Sequence, residues 1–150
     1  MAKKTIVFVC YGNMCRSPMA EGILSSILDG SDLDVLSAGI GASGGKADPY
    51  AIQVMKERGI DISNHRRKPF ERWMAKKASY IFALDKYVYN VLKSELKLSS
   101  NLYTLKGFAL GTDEPLDIFD PYGGGIDDFR ACADEIAELI DQAIDRGLLR

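Results

Sequence analysis

The chain predicts an α/β fold: a three-layer α/β/α sandwich with a central four-stranded parallel sheet. Three observations carry that expectation. Strand and helix patterns alternate along the sequence, the order that builds a parallel sheet covered on both faces. The first strand, residues 5–10, reads Thr-Ile-Val-Phe-Val-Cys, a nearly continuous apolar run of the kind buried on both sides. A length of 150 residues, 47% hydrophobic and 27% charged, suits one domain with its own core, and no repeat or linker interrupts it.

Each element then follows in order. Pro18 opens a helix whose apolar residues, Met19, Ile23, Leu24, Ile27 and Leu28, recur at helical spacing. Residues 34–38 make the second strand, and a glycine-rich loop follows over 39–45. Asp48 caps a helix that runs to about Arg58 and ends at Gly59. Residues 79–84 are the third strand, 86–96 the next helix and 102–105 a short fourth strand. A long loop, 107–125, precedes a last helix with Phe129, Ala133, Ile136, Ile140 and Ile144 on one face, a stripe for docking on the sheet. Loops of that length in compact domains are usually functional.

Charge and cysteine usage narrow the function. Nineteen Lys and Arg against twenty-one Asp and Glu give a net charge of −2, which points to neither nucleic acid nor a membrane as partner. The opening apolar run is too short for a signal segment or a membrane span, so a cytoplasmic protein is expected. Three cysteines (Cys10, Cys15 and Cys132), no CxxC pair and a single His argue against a disulfide framework and against zinc. No metal or other cofactor is expected. In a reducing compartment, a cysteine at a special position is better read as a nucleophile or a redox sensor.

That position is the stretch Cys10-Tyr-Gly-Asn-Met-Cys-Arg16-Ser17-Pro18, between a buried strand and a helix N-terminus. Backbone N–H groups and the helix dipole favour an anion there. Gly12 and Asn13 are residue types that readily take positive φ, which turns successive N–H groups inward as a nest. Cys10 at its base would carry a stabilised thiolate, and Arg16 supplies a planar fork matching two phosphate oxygens. Ser17 can donate a hydrogen bond to the same sulfur. An isolated cysteine ending a strand is usually a small core residue. Cysteine, five residues and Arg-Ser in a strand-to-helix loop is a far more constrained pattern, and it reads as a phosphate-binding loop over residues Tyr11, Gly12, Asn13, Met14, Cys15, Arg16 and Ser17.

The run from Val9 to Glu21 resembles the signature of the low-molecular-weight protein tyrosine phosphatases almost residue for residue. Ser37-Ala38-Gly39, Asp48-Pro49, Leu84-Asp85 and Asp120-Pro121-Tyr122 extend the resemblance over essentially the whole chain. It implies hydrolysis of phosphotyrosine through a phosphocysteine on Cys10, with Arg16 gripping the phosphate and Asp120 as general acid and base. Spacing alone does not choose among Asp113, Glu114, Asp117 and Asp120; the resemblance selects Asp120. It further implies that Asn13, Ser17, Ser37 and His65 support the loop, and that Tyr11 and Tyr122 wall the substrate ring. The expected partner is a tyrosine-phosphorylated protein, with a bacterial tyrosine kinase as the specific candidate. Oligomeric state is not legible.

Departures from the family pattern set further expectations. The loop after the second strand has no aromatic residue, which brings the chain nearer to bacterial members acting on kinases of capsule and exopolysaccharide export. Gly123 stands where many members carry a second tyrosine, and Arg66-Arg67-Lys68 differs from the usual pattern. Six Lys or Arg against one Glu between residues 65 and 77 read as a solvated helix face or as a docking patch for an acidic or phosphorylated tail. Cys15, five positions from Cys10, is a candidate for a protective disulfide with it, and Cys132 reads as core.

Three other functions use similar loops. A thiol-dependent arsenate reductase needs two further cysteines, and residues 60–100 contain none. Similar protein-arginine phosphatases carry Thr where this chain has Met14, whose thioether suits a phenyl ring better. A phosphocarrier module needs neither Arg-Ser nor a distant acid.

Overall fold

Alternation along the first strand builds the two sides of the molecule. In the computed structural model, which describes residues 4–28, 33–97 and 100–149, β1 (Lys4–Cys10) sends Ile6, Phe8 and Cys10 to one face of the sheet. Val7 and Val9 go to the other. β1 pairs in parallel with β2 (Leu33–Gly39) and with β3 (Tyr80–Ala83), and β3 pairs with β4 (Leu102–Thr104), giving the order β2-β1-β3-β4. The first face is covered by α1 (Arg16–Ile27), α2 (Pro49–Glu57), α5 (Leu105–Leu110) and α6 (Ile126–Asp145), which contribute Met19, Met55, Leu105 and Phe129 to one core. The second is covered by α3 (Arg72–Lys77) and α4 (Lys86–Glu95), through Met74, Val88 and Leu92. This is the expected three-layer arrangement with four parallel strands.

Two stretches differ from the expectation. The fourth strand stops at Thr104, and Leu105 belongs to a short helix that takes up the start of the 107–125 loop. The Thr104 side chain caps that helix by accepting from Gly107 N at 3.0 Å, while Leu105 and Ala109, four apart, are buried. Gly107 looks like a helix breaker in the sequence, yet a Cβ there would lie 2.7 Å from Glu114 O, so glycine lets the loop fold back over the helix. The second is α3, whose six residues bury only Met74 within a run of Lys and Arg. One apolar contact is too weak a periodic signal to set a helix's bounds.

β1 is where the connections change direction, with β2 on one side and β3 on the other. Ligands in open α/β sheets bind at the carboxyl ends of the strands beside such a switch. Cys10, Gly39 and Asp85 stand at those ends.

Candidate active site

β1 ends at Cys10 and the chain turns through five residues into α1, which begins at Arg16. No side chain caps α1 and its first turn holds no acidic residue, so its N–H groups remain free for an anion. The turn rests on Asn13, which takes φ 52° and is fully buried. Gly12 does not take positive φ, contrary to the sequence expectation. Asn13 alone supplies the reversal, because its side chain is anchored there.

The anchoring forms one chain of hydrogen bonds. Ser37 donates to the Glu21 carboxylate, so its oxygen is left to accept from Asn13 Nδ2 at 3.0 Å. The same Nδ2 donates to Ser17 Oγ at 2.9 Å, and Asn13 Oδ1 accepts from Lys68 N at 3.0 Å, which sets the amide's orientation. The Ser17 hydroxyl hydrogen is then available to Cys10 Sγ, 2.9 Å away, and Asn13 N donates to the same sulfur at 3.2 Å. Both donors stabilise negative charge on sulfur.

His65 braces the loop from outside. The Asn13 carbonyl can only accept, so His65 Nε2, at 3.0 Å, carries the hydrogen. Burial holds the His65 pKa below its ordinary value, aided by Lys68 and Arg66 and opposed by the Asn13 hydrogen bond and Glu21. The ring is therefore neutral at pH 7. At the end of β2, a Cβ on Gly39 would lie 2.6 Å from Tyr11 O and 2.8 Å from Asn13 N. Only glycine lets β2 pass this close behind the loop.

Arg16 is 4% exposed and donates from Nη1 to Ile118 O at 2.8 Å and from Nη2 to Asp85 Oδ2 at 2.9 Å, while Asp120 Oδ2 stands 3.6 Å from Nη2. Burial lowers its pKa, but Asp120, Asp85 and Cys10 outweigh that and hold the guanidinium above its ordinary value. Its Nε has no protein hydrogen-bond partner among the described residues. Asp85 also caps α4 by accepting from Val88 N at 2.8 Å, so this carboxylate is fixed from two sides.

Cys10, Arg16 and Asp120 converge on one cleft of about 320 Å³, lined also by Tyr11, Gly12, Met14, Cys15, Arg67 and Tyr122. Asp120 is half exposed and accepts from Tyr122 N at 3.1 Å, a turn that holds its carboxylate at the mouth. The other three carboxylates of the loop stand elsewhere. Asp117 accepts from Lys86 N at 2.8 Å, and Asp113 and Glu114 face a separate hollow beside Tyr89 and Phe108. Cys15 is buried and its thiol is pushed up by burial, then by Asp48, Asp120, Cys10 and Cys132. Cys132, in the core as expected, is pushed up to about 12 by burial, Arg16 acting in the opposite sense. All three thiols are free.

Sequence reasoning missed the contacts of Asp85, Glu21, Arg67 and the Ile118 carbonyl. Asp85 had a readable signal, since it follows a buried strand and caps the next helix, the place where α/β sheets collect functional groups. The others carried none.

The arrangement brings a thiol, free helix N–H groups with a guanidinium, and a carboxylate around a space lined by Tyr11, Met14 and Tyr122. The chain as a whole is similar to known proteins. A family model described as low molecular weight phosphotyrosine protein phosphatase matches residues 5–146. The chain is 41% identical, over 98% of its length and 95% of the relative, to a probable low molecular weight protein-tyrosine-phosphatase EpsP of Ralstonia nicotianae. It is 36% identical to a protein-arginine-phosphatase of Bacillus subtilis, over 91% of this chain and 92% of that one. A crystal structure of a YwlE mutant from Bacillus subtilis superposes with a TM-score of 0.88 at 33% identity, covering 96% of this chain and 98% of the other. The chain belongs to the low molecular weight phosphotyrosine protein phosphatase family.

Proposed function

We propose that this protein removes phosphate from phosphotyrosine in other proteins, with Cys10 as nucleophile, Arg16 as phosphate clamp and Asp120 as acid and base. The observation that carries the reading is the meeting of Cys10, Arg16 and Asp120 in one cleft with an apolar and aromatic wall. In the first step Cys10 Sγ attacks phosphorus, the bond to the phenolic oxygen breaks, and the protonated Asp120 gives its hydrogen to that oxygen. In the second, the Asp120 carboxylate takes a proton from water, the water oxygen bonds to phosphorus, and the S–P bond breaks to release inorganic phosphate. The first-turn N–H groups of α1 and Arg16 offset the charge on the equatorial oxygens throughout.

Tyrosine rather than arginine is favoured by Met14, whose half-buried thioether lines the cleft with Tyr11 and Tyr122. A phenyl ring gains contact from such a wall, whereas a guanidinium loses its hydrogen bonds to water there. On matched peptides, kcat/KM should favour phosphotyrosine over phosphoarginine by about 10²-fold or more. The opposite preference would overturn the substrate reading and leave the nucleophile standing. A bacterial tyrosine kinase is the partner that the resemblance favours. No helix among the described residues is long and apolar enough to cross a membrane. We place the enzyme in the cytoplasm, where reducing conditions keep a thiol nucleophile active.

The role of Asp120 is tested by the leaving group. Asp120→Asn should slow phosphotyrosine by roughly 10²–10³-fold, because phenoxide leaves poorly without a proton. An aryl phosphate whose phenol has a low pKa needs that proton less, so formation of the phosphocysteine should suffer less, and a burst of phenol should precede slow turnover. Asp113→Asn and Glu114→Gln, from the same loop, should remain near wild type. Equal loss on both esters in Asp120→Asn would mean that another group is the acid.

A further inference from the structure

The basic run 66–77 does not form one face. Arg66 donates to the His65 carbonyl, Lys68 Nζ to the Arg66 carbonyl, and Lys77 lies 3.9 Å from Asp34. Arg67 alone turns to the catalytic cleft. Its backbone N donates to Gly45 O at 2.9 Å, and its Nε donates to Gly12 O at 2.9 Å, which lays the half-buried side chain along the phosphate loop. In a nest the N–H groups point at the anion and the carbonyls point away, so a guanidinium bound to the Gly12 carbonyl sits at the rim of the cleft and not at its base.

Three features make that rim position significant. Arg16 is already matched by Asp85 at 2.9 Å and Asp120 at 3.6 Å, whereas among the described residues no carboxylate pairs with Arg67. Its terminal nitrogens are therefore an uncompensated cation at the mouth. Glycines flank them, and a Cβ on Gly12 would lie 3.7 Å from Arg67 Nη2. Gly44 and Gly45 take positive φ, and a Cβ on Gly45 would sit 3.7 Å from Arg67 Cδ, so the loop beside it presents backbone alone. Finally, Nε is held by a carbonyl, so the fork is oriented in advance and loses little freedom on pairing.

We propose that Arg67 is a specificity-determining residue that selects substrates carrying an acidic side chain beside the phosphotyrosine, its guanidinium pairing with that carboxylate at the rim. The proposal rests on the phosphotyrosine reading given above. The same positive charge disfavours a substrate bearing a guanidinium of its own.

The test compares two phosphotyrosine peptides that differ only in Glu against Gln flanking the phosphorylated residue. Wild type should favour the Glu peptide by roughly fivefold to tenfold in kcat/KM, carried by KM, and raised salt should shrink the ratio. Arg67→Gln should bring the ratio to within about twofold, while Arg67→Lys should keep part of it because charge remains. A wild-type ratio near one, or a ratio unchanged in Arg67→Gln, overturns the proposal. So does an equal loss on both peptides and on para-nitrophenyl phosphate, which would make Arg67 a support for the loop alone. If wild type cleaves neither peptide but cleaves a phosphoarginine counterpart, the underlying phosphotyrosine reading has failed instead.

Discussion

Cys10→Ser is expected to abolish turnover of para-nitrophenyl phosphate, a loss on the order of 10⁴-fold or more, and Cys10→Ala to do the same. The reason lies in what the loop supplies to the sulfur. Asn13 N donates at 3.2 Å and the Ser17 hydroxyl sits at 2.9 Å, both placed to stabilise a thiolate. A serine hydroxyl is barely ionised near neutral pH, and its shorter C–O bond withdraws the oxygen from those donors. Cys10 is small and buried, so neither variant should disturb the fold, and circular dichroism and thermal unfolding should resemble wild type. A folded Cys10→Ser enzyme with substantial turnover would sink the phosphocysteine mechanism.

Arg16→Lys is the second large effect, with an expected fall in kcat/KM of about 10²–10³-fold. Arg16 acts at several points at once. It holds Ile118 O at 2.8 Å and Asp85 at 2.9 Å while keeping Nε for the cleft. A lysine ammonium is one point on a flexible stem and cannot hold the carbonyl, the carboxylate and two phosphate oxygens together. Inorganic phosphate should also inhibit the variant less strongly, because the clamp engages phosphate in the ground state as well. Activity within a few-fold of wild type would show that the guanidinium fork is not the clamp.

Much of the fold was legible because it is written in short windows. The apolar alternation of residues 5–10, the proline start of α1 and the Asp48 cap each depend on neighbours a few positions away. Asp48 accepts from Tyr50 N at 2.8 Å, as the cap residue predicts. α5 was missed, and α3 was read only as the face of a charged run without bounds, because six residues with three or one buried positions give no clear period. Gly12 was misjudged for a related reason: the type permits positive φ, but the anchored side chain of Asn13 takes it.

By itself the sequence determined the parallel α/β architecture, the loop from Cys10 to Ser17 and the kind of chemistry that loop can hold. These follow from local spacing, and from the narrow set of residues able to bind an anion at a helix N-terminus. Tertiary structure alone decided the strand order and showed where four nearby carboxylates stand, Asp120 lining the cleft while Asp117 accepts from Lys86 N. It alone joined Glu21, Ser37, Asn13 and Ser17 into one chain ending on the Cys10 sulfur, and brought Arg67 to the rim. The deciding partners lie far apart in the chain, 24 positions for Asn13 and Ser37 and 55 for Arg67 and the Gly12 carbonyl. Helical or strand period carries no information about such a pairing. It is set when the helices pack on the sheet and bring buried polar groups within reach of one another.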